Sequence, residues 1–410
     1  MSLPGLTLLD ALLLAITLAT GWLLLHPKLL NNHFWRATVT PLASIIGSGF
    51  LIVAPLLGEV AGRHAVLAML GIVLFAWFIG AIIRFNIAHA EPLEHGGHDA
   101  ALHALGRIAN LALSVAYVIS VAFYIRLLAA FALSMTPWHA AANADLLATV
   151  ILAGIGLLGF LHGFRGLEWT ETIAVSVKLS IIAALLIGLL WHDMANATWT
   201  NTAAHPTLPP TERLRMLAGM LLIVQGFETS RYLGGAYPAK VRIRSMRIAQ
   251  LLSGLIYVGF VLLVQPLLQF LPAGKPDETA IITLTRHVAL VLPWLLVIAA
   301  LMSQLSAAIA DTAGAGGLIT EETHRLLRER YAYPLLITAA ILLIWMFNIF
   351  EVVAIASRAF AFYYMMEALI AFRAAQLLPM ELRRAWHAPA FLLMALLLAL
   401  VVVFARAAGG

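Results

Sequence analysis

The sequence predicts an all-α integral membrane protein of about 12 transmembrane helices. Its core is two five-helix repeats of inverted topology, with one extra helix at each end. Three observations carry this. The 410 residues are 62% hydrophobic and only 11% charged, where a soluble chain carries roughly 25% charged. Positive charge collects in alternate loops between apolar runs. Two of those runs are broken by glycine at matching places in the two halves.

The charge deficit extends along the whole chain, and the mean hydropathy is +0.95. That excludes a soluble protein with a single anchor. There is no cysteine, which removes disulfides, thiol nucleophiles and thiolate metal sites. A pI near 9.6 could signal nucleic acid, but the basic residues are dispersed through short loops, as the positive-inside rule requires. Nucleic acid is therefore excluded as a partner, and the lipid bilayer takes its place.

A span needs about 20 apolar residues. Candidates lie near 5–25, 34–58, 64–88, 106–134, 145–163, 168–191, 214–236, 246–270, 288–318, 332–349, 350–373 and 387–406. The first has no basic residue before Lys28 and no small-x-small cleavage site, so it reads as a retained helix and not a signal peptide. One set of alternate loops holds Lys28, Arg36, Arg84, Arg107, Arg165, Lys240, Arg242, Arg244, Arg247, Arg325, Arg328, Arg330, Arg373, Arg383 and Arg384; the other holds little: Arg63, Lys275, and Arg213 with Arg215. This places the first set in the cytoplasm and both termini outside, in a cell membrane such as a bacterial inner membrane.

Residues 1–30 and 386–407 then hold the extra helices. The remainder divides into 34–192 and 214–374, five spans each. An odd number inverts the second half, as in transporters that bind their cargo at discontinuous helices near the midplane. The first span of the first half is broken at Gly47-Ser48-Gly49. The first span of the second half is broken at Gln225-Gly226, with Glu228 just beyond. Glycine exposes backbone, and irregular backbone at membrane depth is tolerated where it lines a cavity.

These residues resemble a known family, the amino acid–polyamine–organocation (APC) superfamily, which has the LeuT fold. "ASIIGSGFLI" (43–52) is similar to its unwound first core helix. "EPLEHGGHDAALHALGR" (91–107) is similar to its loop signature between the second and third. "TIAVSVKLSIIAALL" (172–186) resembles its fifth helix, "VQGFETSRYLGGAYPAKVRIRSMRIA" (224–249) its sixth and the following loop, and "SQLSAAIA" (303–310) its eighth. The resemblance covers most of 34–374. Three features depart from it: the added N-terminal helix, Val224 where the family often has an aromatic, and Asp311 with "GAGG" (314–317) in the eighth helix.

The resemblance implies a permease for amino acids or related amines. An interrupted helix offers amides at one stump and carbonyls at the other. A substrate carboxylate suits the amides around Ser48, Gly49 and Phe50, with the Ser48 hydroxyl as a further donor. Its ammonium suits carbonyls near Ile45, Ile46 and Val224. Gln225 and Phe227 are candidates for side-chain selectivity. Glu228 either organises the second break or carries a proton.

Lys178 lies near the middle of its span, where a charge is costly and functional by default. In the proton-coupled branch of the family a lysine here replaces a sodium ion. Carried over, Lys178 faces the carbonyls near Ile45 and Ile46 and the hydroxyl of Ser303, implying transport without sodium, proton-coupled or facilitative. The structural alternative pairs Lys178 with an acid such as Asp311. Arg126, Arg231, Arg358 and Glu367 are further intramembrane charges whose partners the sequence does not name. His89, His95, His98 and His103 match no metal template. There is no Walker sequence and no nucleophile elbow, so the chain reads as a non-enzyme without cofactor. A transport-inactive sensor or partner subunit of the same fold, or a carrier of a different small solute, is the alternative.

Overall fold

The computed structural model describes residues 7–47, 49–96, 99–163, 168–196, 208–271, 277–324, 326–379 and 387–407. Ser48, His98, Arg165, Lys275, Arg325, Arg383 and Arg384 lie outside the described residues, as does the side chain of His95. The described residues form helices joined by short connections and no strand. Apart from the short helices Pro27–Leu30 and Glu91–His95, the α-helices in chain order are α1 (Leu8–Leu24), α2 (His33–Gly47), α3 (Val53–Ala61), α4 (Ala65–Phe85), α5 (Ala100–Leu133), α6 (Ala141–His162), α7 (Glu168–Asn196), α8 (Pro210–Ala218), α9 (Thr229–Tyr232), α10 (Ala239–Val264), α11 (Ala280–Arg286), α12 (Leu292–Glu322), α13 (Glu329–Met346), α14 (Ile349–Leu377) and α15 (His387–Phe404).

Nine helical stretches among the described residues are long and apolar enough to cross a membrane. The expected dozen also counts Leu8–Leu24, which is shorter, and the two interrupted segments that begin with α2 and α8; α3 runs on into α4 within one of the nine stretches. Outward faces are apolar. On α4, Leu67, Leu70, Leu74 and Phe78 recur at helical spacing and are all exposed. Such a stripe suits a lipid-facing surface.

Helix ends are fixed by local chemistry. Thr7 and Asp10 form a capping box at the start of α1: the Thr7 hydroxyl accepts from the Asp10 amide at 3.2 Å, and the Asp10 carboxylate accepts from the Thr7 amide at 2.9 Å. That satisfies two donors a helix start leaves open. Asp10 also accepts from the Val291 amide at 3.0 Å, tying the added helix to the start of α12. Along its length α1 lies on α7, with Gly21 beside Ser180 and Leu13 beside Gly188. The N-terminal helix is therefore built into the bundle.

The centre is α5, buried along most of its length and packed between α12 and α14. α6 lies on α13, and α10 on α2 and α4. At the end of the bundle carrying the basic loops, ion pairs join the elements. The Glu91 carboxylate accepts from Arg242 at 2.6 Å and Glu94 from Arg231 at 3.2 Å. The acids of "EPLEHGGH" thus hold the basic segment after the second break, so two motifs distant in sequence are one contact in space.

Asp99 caps α5 by accepting from the Leu102 amide at 2.8 Å and pairs with Arg373 at 2.6 Å. Arg373 first, and the Leu102 amide next, hold its carboxyl below the usual range. A carboxylate so held stabilises the fold above its unfolded pKa of about 3.9, and the gain is lost as pH falls through the lower folded value. Asp99→Asn is therefore expected to lower the thermal midpoint at neutral pH, with the difference from wild type closing in acid. A midpoint difference constant from neutral pH to acid would refute this role.

Candidate functional site

α2 stops at Gly47 and α3 begins at Val53. In the second half α8 stops at Ala218, a 3-10 turn covers Leu221–Val224, and α9 begins at Thr229. The two breaks face each other. A Cβ on Gly49 would lie 2.9 Å from the Ile223 Cα, and one on Gly226 would lie 2.6 Å from the Ser44 carbonyl carbon. Gly226 has φ +119°, a conformation that only glycine adopts at ease.

Side chains of neighbouring helices reach backbone carbonyls at and just before the breaks. Lys178 on α7 donates to the Ala43 carbonyl at 2.9 Å and to the Ser303 hydroxyl at 3.0 Å. Gln304 donates to the Gly47 carbonyl at 3.0 Å. The Tyr257 hydroxyl on α10 donates toward Ile45 at 2.9 Å and Ile223 at 2.6 Å, one carbonyl from each break. Glu228 accepts from the Gly226 amide at 2.8 Å and from the Tyr364 hydroxyl at 2.7 Å. This carboxylate fixes the turn that Gly226 permits. Phe227 stacks on Tyr364 with ring centroids 5.3 Å apart, and Gln225 donates to the Tyr124 hydroxyl at 3.1 Å.

The lysine thus meets Ser303 and, two residues before Ile45, the Ala43 carbonyl. No ion pair joins Lys178 to Asp311 among the described residues.

A cavity of about 340 Å³ reaches Lys178 and Ser303 from the basic-loop end of the bundle. Its walls come from α2, α5, α7, α9 and α12, and include Ser44, Tyr117, Glu171, Thr229, Asp311 and Glu321. Of the residues picked out from sequence as the site, Lys178 and Ser303 line it. Ile45, Ile46, Phe50, Val224, Gln225, Phe227 and Glu228 are buried behind it, in the contact between the two breaks. Tyr257, Gln304, Tyr364 and Tyr117 were not singled out. Each is an ordinary core residue by its local sequence.

The remaining intramembrane charges have partners. Arg126 pairs with Asp145 and, at 3.1 Å, with Glu278, joining α5, α6 and the turn before α11. Arg358 donates to the Ala405 carbonyl, and Arg231 pairs with Glu367.

Residues 27–405 match the family model of an APC superfamily transporter. Over 373 residues, 90% of this chain and 91% of the relative, the sequence is 44% identical to a protein of Aquifex aeolicus (strain VF5) described as an uncharacterized protein. The fold is similar to the structure of Mhp1, a nucleobase-cation-symport-1 family transporter, in a closed conformation with bromovinylhydantoin bound. The TM-score is 0.53 at 11% identity, over 90% of this chain and 91% of that one. At that identity the likeness shows a LeuT-like fold alone. The chain belongs to the APC superfamily of membrane transporters.

Proposed function

We propose that the protein is a secondary transporter of amino acids or related amines, independent of sodium and proton-coupled or facilitative, working by alternating access. One observation carries this reading: the Lys178 ammonium sits between a carbonyl of the broken α2 and the Ser303 hydroxyl, at the deep end of an open cavity. A monovalent cation would find the same oxygen ligands there, and a fixed ammonium takes its place. Its charge can be removed only by losing a proton, which gives the site a means of coupling.

In this reading residues 34–192 and 214–374 are the two inverted repeats, and 1–30 and 386–407 carry the added helices. The basic-loop end faces the cytoplasm, so the cavity opens inward and both termini lie outside. Backbone around Gly47, Ser48, Gly49 and Gly226 binds the cargo once the two breaks separate.

The test is uptake of labelled amino acids and amines into proteoliposomes. Replacing sodium by choline is expected to leave uptake unchanged. Lys178→Ala is expected to flatten the dependence of uptake on external pH. A retained pH dependence in that variant would sink the coupling role. Ligand-induced thermal stabilisation with no uptake would favour the sensor reading.

A further inference from the structure

The first turns of α10 carry Lys240, Arg242, Arg244 and Arg247. Arg242 is buried and pairs with Glu91 at 2.6 Å. The other three are exposed, and their side chains form no hydrogen bond or ion pair among the described residues. Spacings of four and three set them on one stripe of the helix, about 10 Å long at 1.5 Å per residue.

The helices around the stripe do not neutralise it. α10 packs on α2 and α4, and none of the three contains an aspartate or a glutamate. Arg84 on α4 adds to the imbalance. It is buried, donates to the Gln250 side chain and lies over the Trp77 ring at 4.7 Å. The charge beside it is Arg247, a second cation. Like charges in a row at the edge of an apolar layer repel one another unless an anion lies among them.

The stripe has an apolar continuation. Leu251 and Leu255 follow Arg247 at helical spacing and are 54% and 74% exposed. At its other end the exposed Phe34 of α2, with Lys240, Val241 and Arg244, lines a groove of about 320 Å³. Cations at one end and exposed leucines at the other match a molecule with an anionic head and a hydrocarbon tail. A soluble anion would use the cations alone.

We propose that this stripe of α10 binds an anionic phospholipid. Its phosphate lies in the groove between Lys240 and Arg244, with Arg247 beside it, and an acyl chain follows Leu251 and Leu255. Lysine and arginine form charge-assisted hydrogen bonds to phosphate oxygens, and basic residues at the end of a membrane helix draw anionic head groups. The groove shares no residue with the cavity that reaches Lys178, so the binding does not depend on what the protein carries.

The test titrates phosphatidylglycerol against phosphatidylcholine of the same acyl chains, on the full-length chain in a neutral detergent, read by native mass spectrometry and thermal shift. Phosphatidylglycerol is expected to bind more tightly and to raise the midpoint further. Lys240→Gln with Arg244→Gln and Arg247→Gln is expected to weaken phosphatidylglycerol about 100-fold, or about fivefold for each cation. Lys28→Gln with Arg328→Gln and Arg330→Gln removes the same charge from other exposed positions and is expected to change it little. Exchanging the stripe for Lys240→Arg, Arg244→Lys and Arg247→Lys keeps the charge and is expected to keep the preference, which separates lost binding from lost folding. Equal response of wild type to the two lipids overturns the inference. So does an equal loss in the stripe and control variants, which would make the attraction a diffuse one. Glycerol phosphate acting as strongly as the lipid would assign the cations to a soluble anion and overturn the lipid. A dimer lost in the stripe variant, with its lipid response unchanged, would assign the stripe to a second copy and overturn it as well.

Discussion

Glu367→Ala is expected to destabilise the protein by about 3–5 kcal/mol, because it strands a buried guanidinium. Glu367 is fully buried on α14. It pairs with Arg231 and accepts from the Asn86 side chain at 2.7 Å. Arg231 keeps a second contact with Glu94 at 3.2 Å, but that acid is partly exposed. Most of the compensation is therefore lost with Glu367. Removing both charges should behave differently. Apolar residues of similar volume in place of a buried pair are often neutral, so Arg231→Met with Glu367→Leu is expected to recover most of the loss. The measurement is a double-mutant cycle on thermal or denaturant unfolding in detergent. Additive losses would show that the two side chains do not act as a pair.

The second large effect falls on Gly226. At φ +119° any Cβ is strained, by about 1–3 kcal/mol. The same Cβ would lie 2.6 Å from the Ser44 carbonyl carbon, and backbone cannot turn away as a flexible side chain can. Overpacking adds about 1–3 kcal/mol. Gly226→Ala is expected to lower stability by the sum and to abolish uptake, since the two breaks can no longer touch. Gly154 is the control: a Cβ there meets nothing within 4 Å. Gly154→Ala is expected to fold and accumulate as wild type does. Equal behaviour of the two variants would show that the close contact between the breaks is dispensable.

Much of the architecture was readable from the residues alone. Span length, loop charge and interrupted helices are local or periodic signals, and a single sequence carries them in full. The family resemblance reached further, bringing Lys178 to Ser303 across 125 positions. Partners not covered by a motif were out of reach. Nothing near Glu278 marks it as the partner of Arg126, and nothing near Tyr257 marks it as the residue that reaches both breaks. The carbonyl ends of the breaks read as vacant because a sequence shows the missing helical hydrogen bonds and not the side chains that replace them. Tyr257 and Gln304 reach the stumps from elements remote in the chain. Asp311 is the opposite case: it stood out in the sequence as a departure from the family, and in the structure it lines the cavity.

The bridge made by Tyr257 has a mechanical consequence. One phenol proton serves the Ile45 and Ile223 carbonyls together, so neither stump can slide past the other without surrendering it. Whatever swings during a transport cycle, the two stumps and the segment of α10 that carries the phenol swing as one lever. Phenylalanine at this position would leave the lever's shape but cut its linkage. Hydrogen exchange should then rise at both stumps at once, although only one side chain had changed.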